Sequence, residues 1–229
     1  MNIADNLARI RTEISGAESQ YSRIKGSVKL IAVSKTRPVD DINKAFTAGQ
    51  TDFGENYCQE AIEKIDTINN PAICWHFIGP VQSNKTRQIA THFDWVHTVD
   101  RIKIARRLAE SRPPEKPPLN ICIQVNISDE ETKSGASLNE VPALITEIGK
   151  FTSLKVRGLM TLPAPAYALD SQRIPFAKLR LCLEELKQIN PNLDTLSMGT
   201  TQDMLAAIAE GATMVRIGTA IFGSRNART

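Results

Sequence analysis

Several features are missing from this chain of 229 residues. No apolar run reaches the roughly 20 residues that cross a bilayer, so an integral membrane protein is not expected. The opening residues include Asp5, Arg9, Arg11 and Glu13 and do not read as a signal peptide. There are four cysteines, Cys58, Cys74, Cys122 and Cys182. None forms a C-x-x-C pair and none combines with histidine at zinc spacing. Reduced thiols in a cytoplasmic protein are therefore expected rather than a disulfide framework or a structural metal. The three histidines, His76, His92 and His97, also lack metal-ligand spacing. A net charge of +3 is too small to suggest a nucleic-acid partner, and the basic residues are spread along helix-like segments as solvated faces. The G-x-G-x-x-G fingerprint of an open dinucleotide-binding sheet is absent. There is no exposed heptad seam, so a monomer is expected.

What remains is an ordinary globular composition, 41% hydrophobic and 23% charged, with a regular alternation of patterns. Residues 2–18 read as an amphipathic helix through Ile3, Leu7, Ile10, Ile14 and Ala17. Strand-like segments follow at 29–34, 51–54, 74–78, 95–98, 120–127, 156–161, 194–198 and 213–217. Helix-like segments separate them at 39–48, 56–66, 84–91, 100–111, 139–150, 172–190 and 202–210, with Ser137 and Glu140 spaced as a capping box. The proline cluster at 113–118 reads as a stiff loop. Eight βα units in a chain of this length fit one TIM (β/α)8-type barrel over about 27–225, preceded by the extra helix, as a single α/β domain.

In such a barrel the site lies where strands end. The first strand ends in Ser34 and Lys35, and Lys35 shares side-chain parity with Ile31 and Val33, so it points inward. An inward lysine is costly unless it is paired, deprotonated or covalently used, which makes Lys35 a candidate Schiff-base former. Strands seven and eight run into S-M-G-T-T-Q-D (197–203) and R-I-G-T-A-I-F-G (216–223). Both are glycine-and-hydroxyl turns where barrels often hold a phosphate. Closure puts strand eight beside strand one, so Arg216 comes near Lys35, and its fixed charge would lower the lysine pKa. Lysine, phosphate turns and interior arginine together suit pyridoxal 5′-phosphate (PLP), with Arg216 toward the pyridine nitrogen. An arginine does not protonate that nitrogen, which weakens the cofactor as an electron sink. His76 either borders the cofactor or is a hydrogen-bonded core residue.

The blocks AVSKTRP, FGENYCQE, WHFIGPVQSNK, VNISDEETKSG, RGLMTLPAP, SMGTTQDM and VRIGTAIFG resemble, in order and over essentially the whole chain, the pyridoxal phosphate homeostasis protein family. The resemblance implies a fold-type III barrel like the N-terminal domain of alanine racemase. It implies that Lys35 carries PLP as an internal aldimine, that Arg216 faces the ring nitrogen, and that Thr201, Gly218 and Thr219 bind phosphate. By the same resemblance Asn56, His76, Met160 and Ser197 line the pocket, and the loop Lys133-Ser134-Gly135 has a secondary role in handling cofactor. Thr200 and Thr201 depart from the methionine and serine common in the family, and Arg37 stands where relatives carry lysine.

A racemase needs an acid/base group on each face of its substrate, and only Lys35 qualifies here. Tyr57 reads as packing at a helix start. The chain ends six residues after Gly223, so no second domain is expected to close the site. A non-catalytic carrier or buffer of PLP, affecting amino-acid and keto-acid balance, is the expectation. PLP-requiring apoenzymes are candidate transient recipients. The alternative is an amino-acid racemase of weak or narrow activity.

Overall fold

The computed structural model describes residues 2–128 and 134–223. Eight parallel strands close into one barrel in sequence order: β1 (Lys29–Val33), β2 (Asp52–Glu55), β3 (Cys74–Phe77), β4 (Trp95–Val99), β5 (Leu119–Gln124), β6 (Leu154–Met160), β7 (Thr195–Ser197) and β8 (Met214–Ile217). Closure is made by β8 on β1, with Ile31 opposite Arg216 and Ala32 opposite Ile217. The helices are α1 (Ile3–Gln20), α2 (Val39–Thr47), α3 (Cys58–Ile68), α4 (Thr86–His92), α5 (Ile102–Ser111), α6 (Val141–Ile148), α7 (Leu169–Leu186), α8 (Met204–Ala209) and α9 (Thr219–Phe222). This is the expected TIM barrel with its additional N-terminal helix.

The main core lies between strands and helices. Leu30, Ala32, Phe53, Ile121 and Ile123 supply its sheet side, and Ile42, Ile89, Leu108, Phe176 and Leu179 its helix side. A second cluster fills the barrel: Ile31, Trp95, Cys122, Met160 and Met214. Period-two alternation produces this division, because alternate strand residues face opposite sides of the sheet. In β5 it puts Cys122 inside and Ile121 and Ile123 outside.

Helix α1 lies over the seam of the ring. Its buried Leu7, Ile10, Ile14 and Ala17 pack beside α8, α9 and α2. Asn6 donates to the Ile221 carbonyl at 2.8 Å, and buried Glu18 accepts from the amides of Gly26 and Val28. Gly16 is the weak point of this helix: it is exposed, and a Cβ there would meet nothing within 4 Å. Gly16→Ala should raise stability by about 0.5–1 kcal/mol, read as a higher urea midpoint with unchanged slope.

Boundaries differ from the sequence reading where local signals compete. Helix α7 begins at Leu169 and carries Pro175 inside it, where the pattern suggested a start at 172. Ser137 and Glu140 do meet, the serine amide and hydroxyl both donating to Glu140 Oε2 at 2.8 Å. They close a turn ahead of α6, whose helical residues begin only at Val141. The expected capping box is therefore corrected to a pre-helical turn. The four-residue α9 follows directly on the turn at Gly218 and is too short to show a period.

Candidate functional site

Lys35 sits on the β1–α2 turn, half-buried, and the turn is pinned from below. The Ser34 amide donates to the Gly54 carbonyl at 2.9 Å, and its hydroxyl donates to Glu55 Oε1 at 2.7 Å. Lys64, reaching in from α3, donates from one ammonium to the Ser34 carbonyl, Glu55 Oε1 and Glu60 Oε1 at 2.8, 2.8 and 2.6 Å. Glu60 in turn accepts from the Thr36 amide, holding Thr36 at a left-handed φ of 62° that a β-branched residue rarely adopts. Arg37 closes the turn by donating to the Gly223 carbonyl. Burial pushes the Glu55 carboxyl above its usual range, against the pull of Lys64. Rigid placement of Lys35 thus comes from Glu55, Glu60 and Lys64; Lys64 carries no motif that would have singled it out.

The β8–α9 turn lies alongside. A Cβ on Gly218 would stand 3.3 Å from both the Cβ and the carbonyl oxygen of Val33, so the two strand ends run in contact. Lys35 is two residues beyond one of them and Thr219 one residue beyond the other. Thr219 is exposed and Gly218 half-buried. The β7–α8 turn depends on Gly199, whose φ is 95° and where a Cβ would lie 2.6 Å from that of Ala207. Beyond it, Thr200 donates from both amide and hydroxyl to Asp203 Oδ1, at 2.6 and 2.8 Å. That explains what threonine does in place of an apolar residue there: it ties the turn to the start of α8. Thr201 is exposed at the rim.

Inside the barrel the polar residues join up. Arg216, 4% exposed, donates from Nη1 to Ser197 Oγ at 2.7 Å and from Nη2 to the Thr161 carbonyl at 3.0 Å. Among the described residues it forms no ion pair with a carboxylate. Ser197 Oγ is 2.8 Å from His97 Nδ1, and His97 Nε2 is 2.9 Å from His76 Nδ1. His76 Nε2 is 3.0 Å from Asp52 Oδ1, which also accepts from Lys29 Nζ at 2.9 Å. His76, His97 and Ser197 are all completely buried. The surroundings of His76 are those of the hydrogen-bonded core residue, both ring nitrogens being engaged. Met160 packs beside this chain in the interior cluster and is opposite Ser197 in the sheet. Asn56 follows β2, and its buried Oδ1 has no hydrogen-bond partner among the described residues.

The structure therefore joins His76, Ser197 and Arg216 directly and sets Lys35 and Gly218 on adjoining strand ends. Lys133 lies outside the described residues. Tyr57 caps α3 with its side chain half exposed.

Asp52, Cys74 and His76 also bring one ligand-type atom each within 4.8 Å of one another, a grouping no spacing suggested. The Lys29 ammonium already occupies the Asp52 oxygen, and burial with the neighbouring carboxylates pushes the Cys74 thiol up to about 12. The cluster is accounted for as a hydrogen-bond network.

Burial lowers the His76 pKa although Asp52 opposes it. Burial, His76 and Arg216 together hold His97 well below the usual value. Burial also depresses Arg216, to about 10, so it remains a cation at neutral pH. Both histidines are neutral in the fold, while in the unfolded chain they take up protons below about pH 6.5. Stability should fall as pH drops through that value. Glu55, shifted in the opposite sense, offsets part of this. Urea midpoints across the range should show the decline, and His97→Gln should flatten it.

The donor set can be tested against PLP by its chemistry. An aldehyde needs a primary amine, and Lys35 presents one on a pinned turn. A phosphate needs backbone approach, and the glycine turns at Gly199 and Gly218 offer it. An aromatic nitrogen needs an in-plane donor, and Arg216 is anchored to act as one. The orphan Asn56 Oδ1 adds an unused acceptor at the same end of the barrel. The residues fit the group.

Comparison with known proteins agrees with this geometry. The family model of the alanine racemase N-terminal domain matches residues 2–226. The pyridoxal phosphate homeostasis protein of Pasteurella multocida is 54% identical over 99% of this chain and 99% of its own. That of Escherichia coli K12 is 49% identical over 98% and 97%. The chain belongs to the pyridoxal phosphate homeostasis protein family. Among solved structures, PipY of Synechococcus elongatus PCC7942 with PLP bound superposes with a TM-score of 0.82 at 36% identity, covering 96% of this chain and all of that one. Alanine racemase of Corynebacterium glutamicum shares the fold at a TM-score of 0.71 and 16% identity, with 60% of its length covered.

Proposed function

We propose that this protein binds PLP and acts in its homeostasis, holding the cofactor through Lys35 and releasing it rather than turning over a substrate. The observation that carries the reading is the juxtaposition at the strand-one and strand-eight ends. A pinned lysine and a glycine turn in van der Waals contact with its strand stand at one rim, and a buried cationic arginine, Arg216, precedes that glycine by two residues. PLP, when bound, supplies an electrophilic aldehyde and an electron-withdrawing ring. Lys35 holds the aldehyde carbon, the Gly218–Thr219 and Thr201 turns receive the phosphate, and Arg216 meets the ring nitrogen as a donor. Asn56, Met160, Ser197 and His76 shape the floor, His76 acting through its neighbours. Full-length relatives named for PLP homeostasis and a PLP-bound neighbour support the same assignment.

Absence of turnover, monomeric action and a cytoplasmic setting belong to this proposal. Four free thiols, with Cys122 pushed up to about 12 by burial, accord with a reducing compartment. No helix among the described residues is long and apolar enough to cross a membrane.

The test is spectroscopic. Purified protein mixed with PLP should gain a visible chromophore in a one-to-one ratio, fixed covalently by borohydride. Added amino acids should show no protein-dependent deuterium exchange at the α-carbon. A protein that stays colourless overturns the cofactor assignment, and sustained exchange with turnover overturns the non-catalytic part.

A further inference from the structure

The polar chain inside the barrel has a direction, and hydrogen-bond accounting reveals it. Asp52 is held ionised: burial opposes this, but His76 and Lys29 keep its carboxyl well below the usual range. An ionised carboxylate only accepts, so His76 Nε2 donates across the 3.0 Å link. A neutral His76 then has Nδ1 as its acceptor, and His97 Nε2 must donate to it at 2.9 Å. A neutral His97 likewise accepts at Nδ1, so the Ser197 hydroxyl spends its only proton there at 2.8 Å. Ser197 Oγ is thereby left as an acceptor facing Arg216 Nη1 at 2.7 Å. Each of the four links has one donor and one acceptor, and all donors point from Arg216 toward Asp52.

We infer that Asp52, His76 and His97 are positioning residues that orient the Arg216 guanidinium from the opposite end of the barrel. The geometry explains why the counter-charge is remote. A carboxylate touching Arg216 would occupy its N–H groups. A carboxylate four links away stabilises the cation through a polarised chain while, among the described residues, the guanidinium donates only to Ser197 and the Thr161 carbonyl. Asp52 opens β2 at the amino-terminal end of the strands, and Arg216 lies near the carboxyl end of β8. The chain thus crosses the interior where TIM barrels ordinarily stack apolar layers. Lys29 and Thr51 brace its far end by donating to Asp52; Cys74 and Asp94 are the other titratable groups facing His76 there. The consequence at the ring end rests on the PLP reading above; the chain itself does not.

The two are separable by experiment. In ligand-free protein with 15N-labelled histidine, long-range proton–nitrogen spectra at neutral pH should show His76 and His97 each protonated at Nε2 alone. Either ring protonated at Nδ1, or at both nitrogens, overturns the chain, and this measurement needs no variant. Asp52→Leu should scramble the two tautomers, while Asp52→Asn, which keeps an acceptor, should preserve them. With PLP added, the maximum of the borohydride-reducible chromophore should shift in Asp52→Leu and not in Asp52→Asn. Scrambled tautomers with an unmoved maximum overturn the positioning role. Nε2 tautomers in a protein that takes up no PLP support the chain and overturn the cofactor reading instead.

Discussion

Lys35→Ala will abolish borohydride-fixed chromophore in protein mixed with PLP, from near-stoichiometric to background. No other lysine should take its place, because those close to the interior are held in ion pairs. Lys64 spends its ammonium on three acceptors, two of them carboxylates, and Lys29 is paired with Asp52 at the far end of the barrel. An ammonium held in such pairs is a poor nucleophile, so no neighbour substitutes. Non-covalent binding should persist at reduced affinity, because the glycine turns and Arg216 are untouched. Mass spectrometry of reduced, digested wild-type protein should place the adduct on the peptide containing Lys35. The same reducible chromophore in the alanine variant would refute the assignment.

The elements of this barrel were largely legible because each signal is local. Strand runs such as Leu30–Val33 and glycine turns at 199 and 218 announce themselves within a few residues. Arg216 could be aimed inward by parity with Met214 alone. The interior chain could not be read this way. His97 meets Ser197 across 100 positions, and His76 meets Asp52 across 24. No periodicity encodes such pairings; they exist only once the strands have closed and their registers are set. Lys64 was hidden for a different reason. On a helix rich in Glu and Lys it looks like any solvated charge, yet its side chain is only 8% exposed. What buries it is the fit of α3 against β1 and β2, a tertiary fact. The role of His76 stayed divided for the same reason, since a strand-end histidine suits both a pocket wall and a core.

That hidden lysine carries the second large effect. Lys64→Met should cost about 3–5 kcal/mol, because it strands the fully buried Glu55 carboxylate beside Ser34 with its cation removed. The loss goes beyond one ion pair. Glu60 is released from Lys64 and holds the left-handed Thr36 less firmly, so the turn bearing Lys35 loosens. PLP should therefore attach more slowly to folded Lys64→Met protein, although Lys64 is not expected to touch it. Glu55→Gln in the same chain is the diagnostic partner. It removes the unpaired charge and leaves a neutral amide that can still accept from Ser34, so the double variant should recover much of the stability lost in Lys64→Met alone. Urea midpoints for the wild type, both single variants and the double variant give the coupling energy directly. A double variant whose loss equals the sum of the singles would show that Glu55 and Lys64 act independently, and the pinned-turn account of Lys35 would fail with it.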